Sequence, residues 1–201
     1  LWFVTQEGLN RYTGHEVENY RYSNDTPGSL PTNNISHITE DGEGTIWIST
    51  LGGGLVRYDE ITNSFEAIYS DPNDSNTPYS NDIHEVFADS NGHLWLGYLN
   101  GFSVFRPEDK SFHHYVAGLN GIPYTGVVAN FAQTADGKIW AATQSSGLLL
   151  IDTVTDVVTS FTHDANDHNS IVGGWLHRVI ASGDGYLWVA SSDQGISRFN
   201  P

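Results

Sequence analysis

Five tryptophans stand in register along this chain: Trp2, Trp47, Trp95, Trp140 and Trp188, separated by 45, 48, 45 and 48 residues. Each follows Leu or Ile (Leu1, Ile46, Leu94, Ile139, Leu187). Four have Gly three residues earlier: Gly44, Gly92, Gly137 and Gly185. Each is followed six or seven residues later by Gly and an apolar residue, as in Gly54-Leu55 and Gly147-Leu148. A motif returning at this interval is one supersecondary unit, repeated because a single copy cannot bury its own apolar face.

Each period holds four apolar runs of strand length. In the second they are Ile35–Glu40, Thr45–Thr50, Leu55–Asp59 and Phe65–Tyr69. Asp-Gly-Glu-Gly, Gly-Gly-Gly and Ile-Thr-Asn-Ser separate them, all of it turn chemistry. The run TIWIST is apolar on both pleat faces, since Trp47 points opposite to Ile46 and Ile48. A strand buried on both faces belongs inside stacked sheets. No window has a helical period. The expected fold is all-β, a β-propeller of four-stranded antiparallel blades. Three blades are complete (35–69, 83–116, 127–162) and two partial (1–22, 176–201), in one segment over 1–201. Their eighteen strands close neither a four-bladed nor a five-bladed ring. An open edge is a liability, so missing blades or a second copy are expected to complete it.

Eight Lys and Arg against 24 Asp and Glu give a formal net charge of −16. That field disfavours nucleic acid and anionic membrane surfaces as partners. The absence of cysteine removes thiolate catalysis, disulfides and cysteine-bound zinc. No apolar run approaches the ~18 residues of a membrane span.

The stretches SLPTNNISHI and TEDGEGTIWISTLGGGLVRYD resemble the two-component regulator propeller repeat. The fourth and fifth periods depart from it: Thr134 and Ser182 replace the aspartate of Asp41 and Asp89, and Ile151 replaces an aromatic. The resemblance implies a sensor region on the periplasmic or extracellular face of a bacterial membrane signalling protein. It implies a ring of the seven-bladed type, a homodimer in the intact protein, and relay to a cytoplasmic histidine kinase or diguanylate cyclase.

Candidate site residues are those that do not recur. With strands labelled a to d, the d–a connections are long: Ser23–Asn34, Ser70–Asp82, Val116–Val127 and His163–Trp175. Loops of such length in a compact repeat often carry function. Trp175 stands outside the tryptophan register, where other periods have Asn34, Asp82 and Val127. An indole there suits a stacking platform for a sugar or aromatic ligand, or else a plug over the blade. Tyr79 and Tyr124 share one position before strand a, and packing of the loop onto its blade explains them as well as binding does. Ten residues before each repeat tryptophan stand His37, Glu85, Asn130 and Arg178; eleven before stand Ser36, His84, Ala129 and His177. A purely structural position would reuse one residue type, although solvated polar residues at a channel mouth would vary too. Arg11, Arg57 and Arg198 share a strand-c position and read as structural, pairing blade to blade with the many acids.

Known catalytic patterns are missing: no phosphate loop, nucleophile elbow or His-Glu-x-x-His pair occurs. His113 and His114 are adjacent on a strand and point apart. The loops DPNDSN and DANDHN offer Asp71, Asn73, Asp164 and Asn166 as weak calcium candidates, without the glycine and glutamate of an EF-hand. No cofactor is expected. The leading expectation is a non-enzymatic module binding a small molecule, plausibly an oligosaccharide, on the d–a rim. A protein-interaction or dimerisation scaffold is the alternative. A metal-dependent propeller lyase using His37, His84 and His177 is a third.

Overall fold

A computed structural model describes residues 1–116 and 125–201. Eighteen strands occur among them. Blade one holds β1 (Trp2–Thr5), β2 (Gly8–Tyr12) and β3 (Val17–Tyr20). Blade two holds β4 (Ile35–Glu40), β5 (Ile46–Thr50), β6 (Leu55–Asp59) and β7 (Ser64–Ile68). Blade three holds β8 (Glu85–Ala88), β9 (Leu94–Tyr98), β10 (Gly101–Arg106) and β11 (Ser111–Val116). Blade four holds β12 (Val128–Gln133), β13 (Ile139–Thr143), β14 (Leu148–Asp152) and β15 (Val157–Phe161). Blade five holds β16 (Leu176–Ala181), β17 (Leu187–Ser191) and β18 (Ile196–Phe199). In every sheet, strands consecutive in sequence are neighbours. The fold is the expected all-β propeller architecture, three four-stranded and two three-stranded blades.

The chain divides into two compact units. One comprises 1–96 and 104–113, the other 97–103 and 114–201. The first is built around Leu9, Leu30, Ile48, Val56, Tyr58 and Phe65. The second has its core at Trp140, Ala142, Leu148, Leu176, Leu187 and Val189.

The tryptophan register has a packing cause. Strands β5, β9 and β13 are buried at every position. In the first unit Trp2 meets Tyr58 edge-on at 4.9 Å between centroids, and Trp47 meets Phe105 at 5.8 Å. In the second, Trp140 meets Phe199 at 5.9 Å. Each contact joins strand b of one blade to strand c of the next. Such aromatic pairs are worth about 0.5–1.5 kcal/mol beyond their area burial. Trp188 of blade five is 44% exposed.

The glycines after the tryptophans are steric necessities. Gly54 and Gly147 have φ of +74° and +69°. A Cβ on either would run into a strand-d carbonyl, that of Ile68 or Phe161.

The a–b turn keeps one backbone and changes its side chains. Asp41, Asp89, Thr134 and Ser182 each donate their N–H across the turn, to the carbonyls of Thr45, His93, Lys138 and Tyr186. In blades two and three the carboxylate also accepts the indole N–H: Trp47 Nε1 to Asp41 Oδ2 at 2.8 Å, and Trp95 Nε1 to Asp89 Oδ2 at 3.0 Å. Threonine is too short for this. Thr134 Oγ1 instead donates to Asp136 at 2.6 Å, and the buried Trp140 Nε1 has no partner.

Candidate functional site

Strand a of each blade whose register is described carries the same irregularity. Pairing to strand b shifts between Ile35 and His37, between Val128 and Asn130, and between Leu176 and Arg178. The bulged residues are Ser36, Ala129 and His177. A bulge leaves one residue out of the ladder and re-aims its neighbours.

The residues just after the bulge divide into ties and free groups. His37 Nδ1 lies 3.2 Å from the Val86 carbonyl and 3.3 Å from Glu85 Oε1. Asn130 Oδ1 accepts the Val179 N–H at 3.0 Å. The Val86 and Val179 contacts each span 49 residues, and all three join strand a of one blade to strand a of the next. Glu85 and Asn130 are 4% and 6% exposed. In this structure these two side chains and His37 serve blade-to-blade cohesion. His84 is half-buried beside them, and burial holds its imidazole below the ordinary histidine range, with Asp82 partly opposing.

Blade five differs. His177 and Arg178 are both exposed, and no ion pair of Arg178 occurs among the described residues. Just before them, Trp175 is 59% exposed. Its backbone is fixed as at Asn34 and Val127, two of the equivalent positions. Ser192 N–H donates to the Trp175 carbonyl at 3.0 Å, as Leu51 does to Asn34 at 2.9 Å and Gln144 to Val127 at 3.0 Å. These bonds tie the b–c loops of blades two, four and five to the d–a connection, the shared rim expected from the strand order. The fold therefore uses the main chain of residue 175 and makes no demand on its side chain. Gly173 and Gly174 lead in closely packed against Gln194 and Asp193, so the backbone beneath the indole is well supported.

Among the other sequence candidates, Tyr79 is 50% exposed on the Ser70–Asp82 connection and belongs to the first unit, whereas Trp175, His177 and Arg178 belong to the second. Tyr124 lies outside the described residues. The weak calcium candidates sit in self-satisfied Asx turns. Asp71 Oδ1 accepts Asn73 N–H at 2.9 Å, and Asp164 Oδ1 accepts Asn166 N–H at 2.9 Å. No cluster of three or more His, Asp or Glu able to hold a metal occurs among the described residues.

The strand-c arginines correct a sequence expectation. Arg11 does pair blade to blade, with Glu60 at 2.7 Å. Arg57 pairs within its own blade, with Glu66 at 3.1 Å, because Pro107 stands where the next blade would supply Glu60's counterpart. Arg198 also stays within its blade, on Asp184 at 2.8 Å and over the Tyr186 ring at 3.6 Å.

Residues 29–52, spanning the end of the d–a connection and strands a and b of blade two, match the two component regulator propeller family model. The second blade carries a two component regulator propeller repeat. Along its whole length the chain is 28% identical to a histidine kinase of Formosa agariphila, and it spans 15% of that protein. It superposes with a TM-score of 0.77 and 25% identity on the extracellular domain of a hybrid two component system from B. thetaiotaomicron, covering 99% of this chain and 25% of that one. A second such extracellular domain from B. thetaiotaomicron gives a TM-score of 0.81 at 21% identity, with 98% and 25% covered. Virginiamycin B lyase from Staphylococcus aureus is more distant, with a TM-score of 0.63 at 15% identity over 99% of this chain and 68% of that one. At 21% and 15% identity, these last two speak for the fold alone. No helix among the described residues is long and apolar enough to cross a membrane.

Proposed function

We propose that this chain is the ligand-sensing propeller module of a membrane-anchored signalling protein, lying on the extracytoplasmic side and acting on no substrate itself. It binds a small molecule, with an oligosaccharide as the leading class, over the d–a rim of blade five. Binding biases a two-state arrangement in the intact homodimer and so sets the output of a kinase or cyclase domain.

The observation that carries the reading is Trp175. Its main chain does what the same position does in blades two and four, yet its indole is exposed where other blades carry unrelated side chains. Indole faces stack on the apolar face of a sugar ring or on an aromatic group. Arg178 and His177 supply polar groups next to it. The family likeness supports the signalling half of the proposal, and the position of Trp175 supports the binding half.

A thermal-shift screen against oligosaccharides, amino acids and divalent cations tests it. A binder at a hundred times its Kd stabilises the folded state by about 2.7 kcal/mol. The expected result is an upshift with one oligosaccharide class, lost in Trp175→Ala/Arg178→Ala. An upshift that survives the double substitution would refute the site.

A further inference from the structure

The crevice between blades one and two and the crevice between blades two and three are built from equivalent positions but carry different chemistry. The first is lined by Trp2, Tyr58, the carboxylates of Glu40, Glu43, Asp59 and Glu60, and the guanidiniums of Arg11 and Arg57. Both cations are spent: Arg11 is bound to Glu60 and Arg57 to Glu66. The second encloses about 470 Å³ within the first compact unit. That is ample for a ligand of a dozen heavy atoms.

The apolar wall of the second crevice is aromatic. Phe105 and Phe112 stack at 4.5 Å and 28°, and Trp47 meets Phe105 edge-on. Three substitutions along the chain shift its charge towards positive relative to the first, whereas Glu108 for Ile61 goes the other way and lies 3.6 Å from His93. Arg106 takes the place of Asp59, Pro107 that of Glu60, and Lys110 that of Asn63. The turn backbone is unchanged, with φ of +51° at Asn63 and +57° at Lys110. In blade two Asn63 accepts from the hydroxyls of Tyr20 and Tyr58, at 3.0 and 2.8 Å. Lys110 brings a cation to the same place. It is exposed, and the described residues include no carboxylate paired with it. The single carboxylate of the lining, Glu66, is held by Arg57. The long connection after blade two completes the wall: Asn76 Oδ1 accepts the Phe112 N–H at 3.0 Å. That bond fixes the amide's orientation and leaves its NH₂ as a donor.

We propose that this crevice is a second small-molecule site, which takes a planar aromatic carboxylate. The ring packs against Phe112, which covers the buried Phe105, and the carboxylate meets Lys110, with the Asn76 amide as a further donor. In a chain of net charge −16 an anion needs such a local shift to be held. A ring wall with a cation at its edge selects by shape and charge together.

The test is isothermal titration of the 201-residue chain with 2-naphthoate and, as the neutral isostere, 2-naphthamide. The variants are Lys110→Asn, which restores the residue blade two tolerates at this φ, Phe112→Leu and Trp175→Ala. Expected are saturable binding of 2-naphthoate, weakening of at least five-fold for the amide and in both crevice variants, and no change in Trp175→Ala. The last arm separates this site from the rim site. Absence of 2-naphthoate binding up to millimolar concentration would overturn the proposal. So would binding that Lys110→Asn leaves unaltered in a variant whose melting temperature matches the parent.

Discussion

Thr134→Asp/Asp136→Asn should stabilise the chain. The double substitution rewrites the a–b turn of blade four as the Asp-x-Asn-Gly turn of blade three, where Asp89 serves Trp95. Trp140 is 1% exposed and its Nε1 is a buried donor with no acceptor. Such a group costs about 1–3 kcal/mol, and a hydrogen bond to a carboxylate recovers it. The turn backbone already has the required bonds, Thr134 N–H to Lys138 and Gly137 N–H to the Thr134 carbonyl. What is lost is exposed: the Thr134–Asp136 bond and the Asp136–Lys138 pair at 2.7 Å. Exposed pairs of that kind contribute about 0–1 kcal/mol. The net gain is about 1–2 kcal/mol, or about 2–8 °C in melting temperature at this size. Calorimetry measures the shift. The Trp140 indole N–H resonance should also move downfield in a ¹H–¹⁵N spectrum. A variant that melts at or below the parent temperature, with that resonance unmoved, would refute the view that the turn aspartate exists to satisfy the indole.

Other consequences are shorter to state. Asn130→Ala leaves the Val179 N–H without its acceptor between two blades and should cost about 1–3 kcal/mol, read from a urea midpoint; no loss would mean the tie is incidental. Gly147→Ala forces a Cβ onto the Phe161 carbonyl at positive φ. Its cost should exceed the ~1 kcal/mol of an ordinary conformational penalty, and a smaller loss of stability would contradict the steric reading. His84 is held below the ordinary histidine range by burial. The unfolded chain then binds a proton that the folded chain refuses, so stability should fall as pH drops below about 6.5. His84→Gln should flatten that slope between pH 7.5 and 5.5, and an unchanged slope would assign it to other groups.

The architecture was legible because its signals are local and periodic. The tryptophan register, the turn glycines and the four apolar runs per period all lie within one period of about 35 residues, and each is repeated. Even the missing aspartate at Thr134 could be read as a departure, although its result, an unsatisfied indole on Trp140, needed the structure. The strand-a polar residues were less legible. His37 and Asn130 act across 49 residues, on main-chain groups that carry no sequence signature. Their variation in type reads like ligand selection, yet a carbonyl acceptor or an N–H donor can be met by different side chains. Arg57 misled for a similar reason: its position is shared with Arg11, but its partner is decided by Pro107 on the following blade. Trp175 was legible because it breaks the register, and its exposure agrees with that departure.

The central claim is that the repeated positions build the blades and that Trp175, outside the register, recognises the ligand. Isothermal titration of the oligosaccharide that gives the largest thermal upshift tests it most directly, using the parent chain, Trp175→Ala and Asp41→Asn. The account predicts an affinity loss of at least ten-fold in Trp175→Ala, about 1.4 kcal/mol. Asp41→Asn should lower the melting temperature and leave the affinity of the folded chain unchanged. Equal affinity in the parent and Trp175→Ala, or an affinity loss confined to Asp41→Asn, would contradict it.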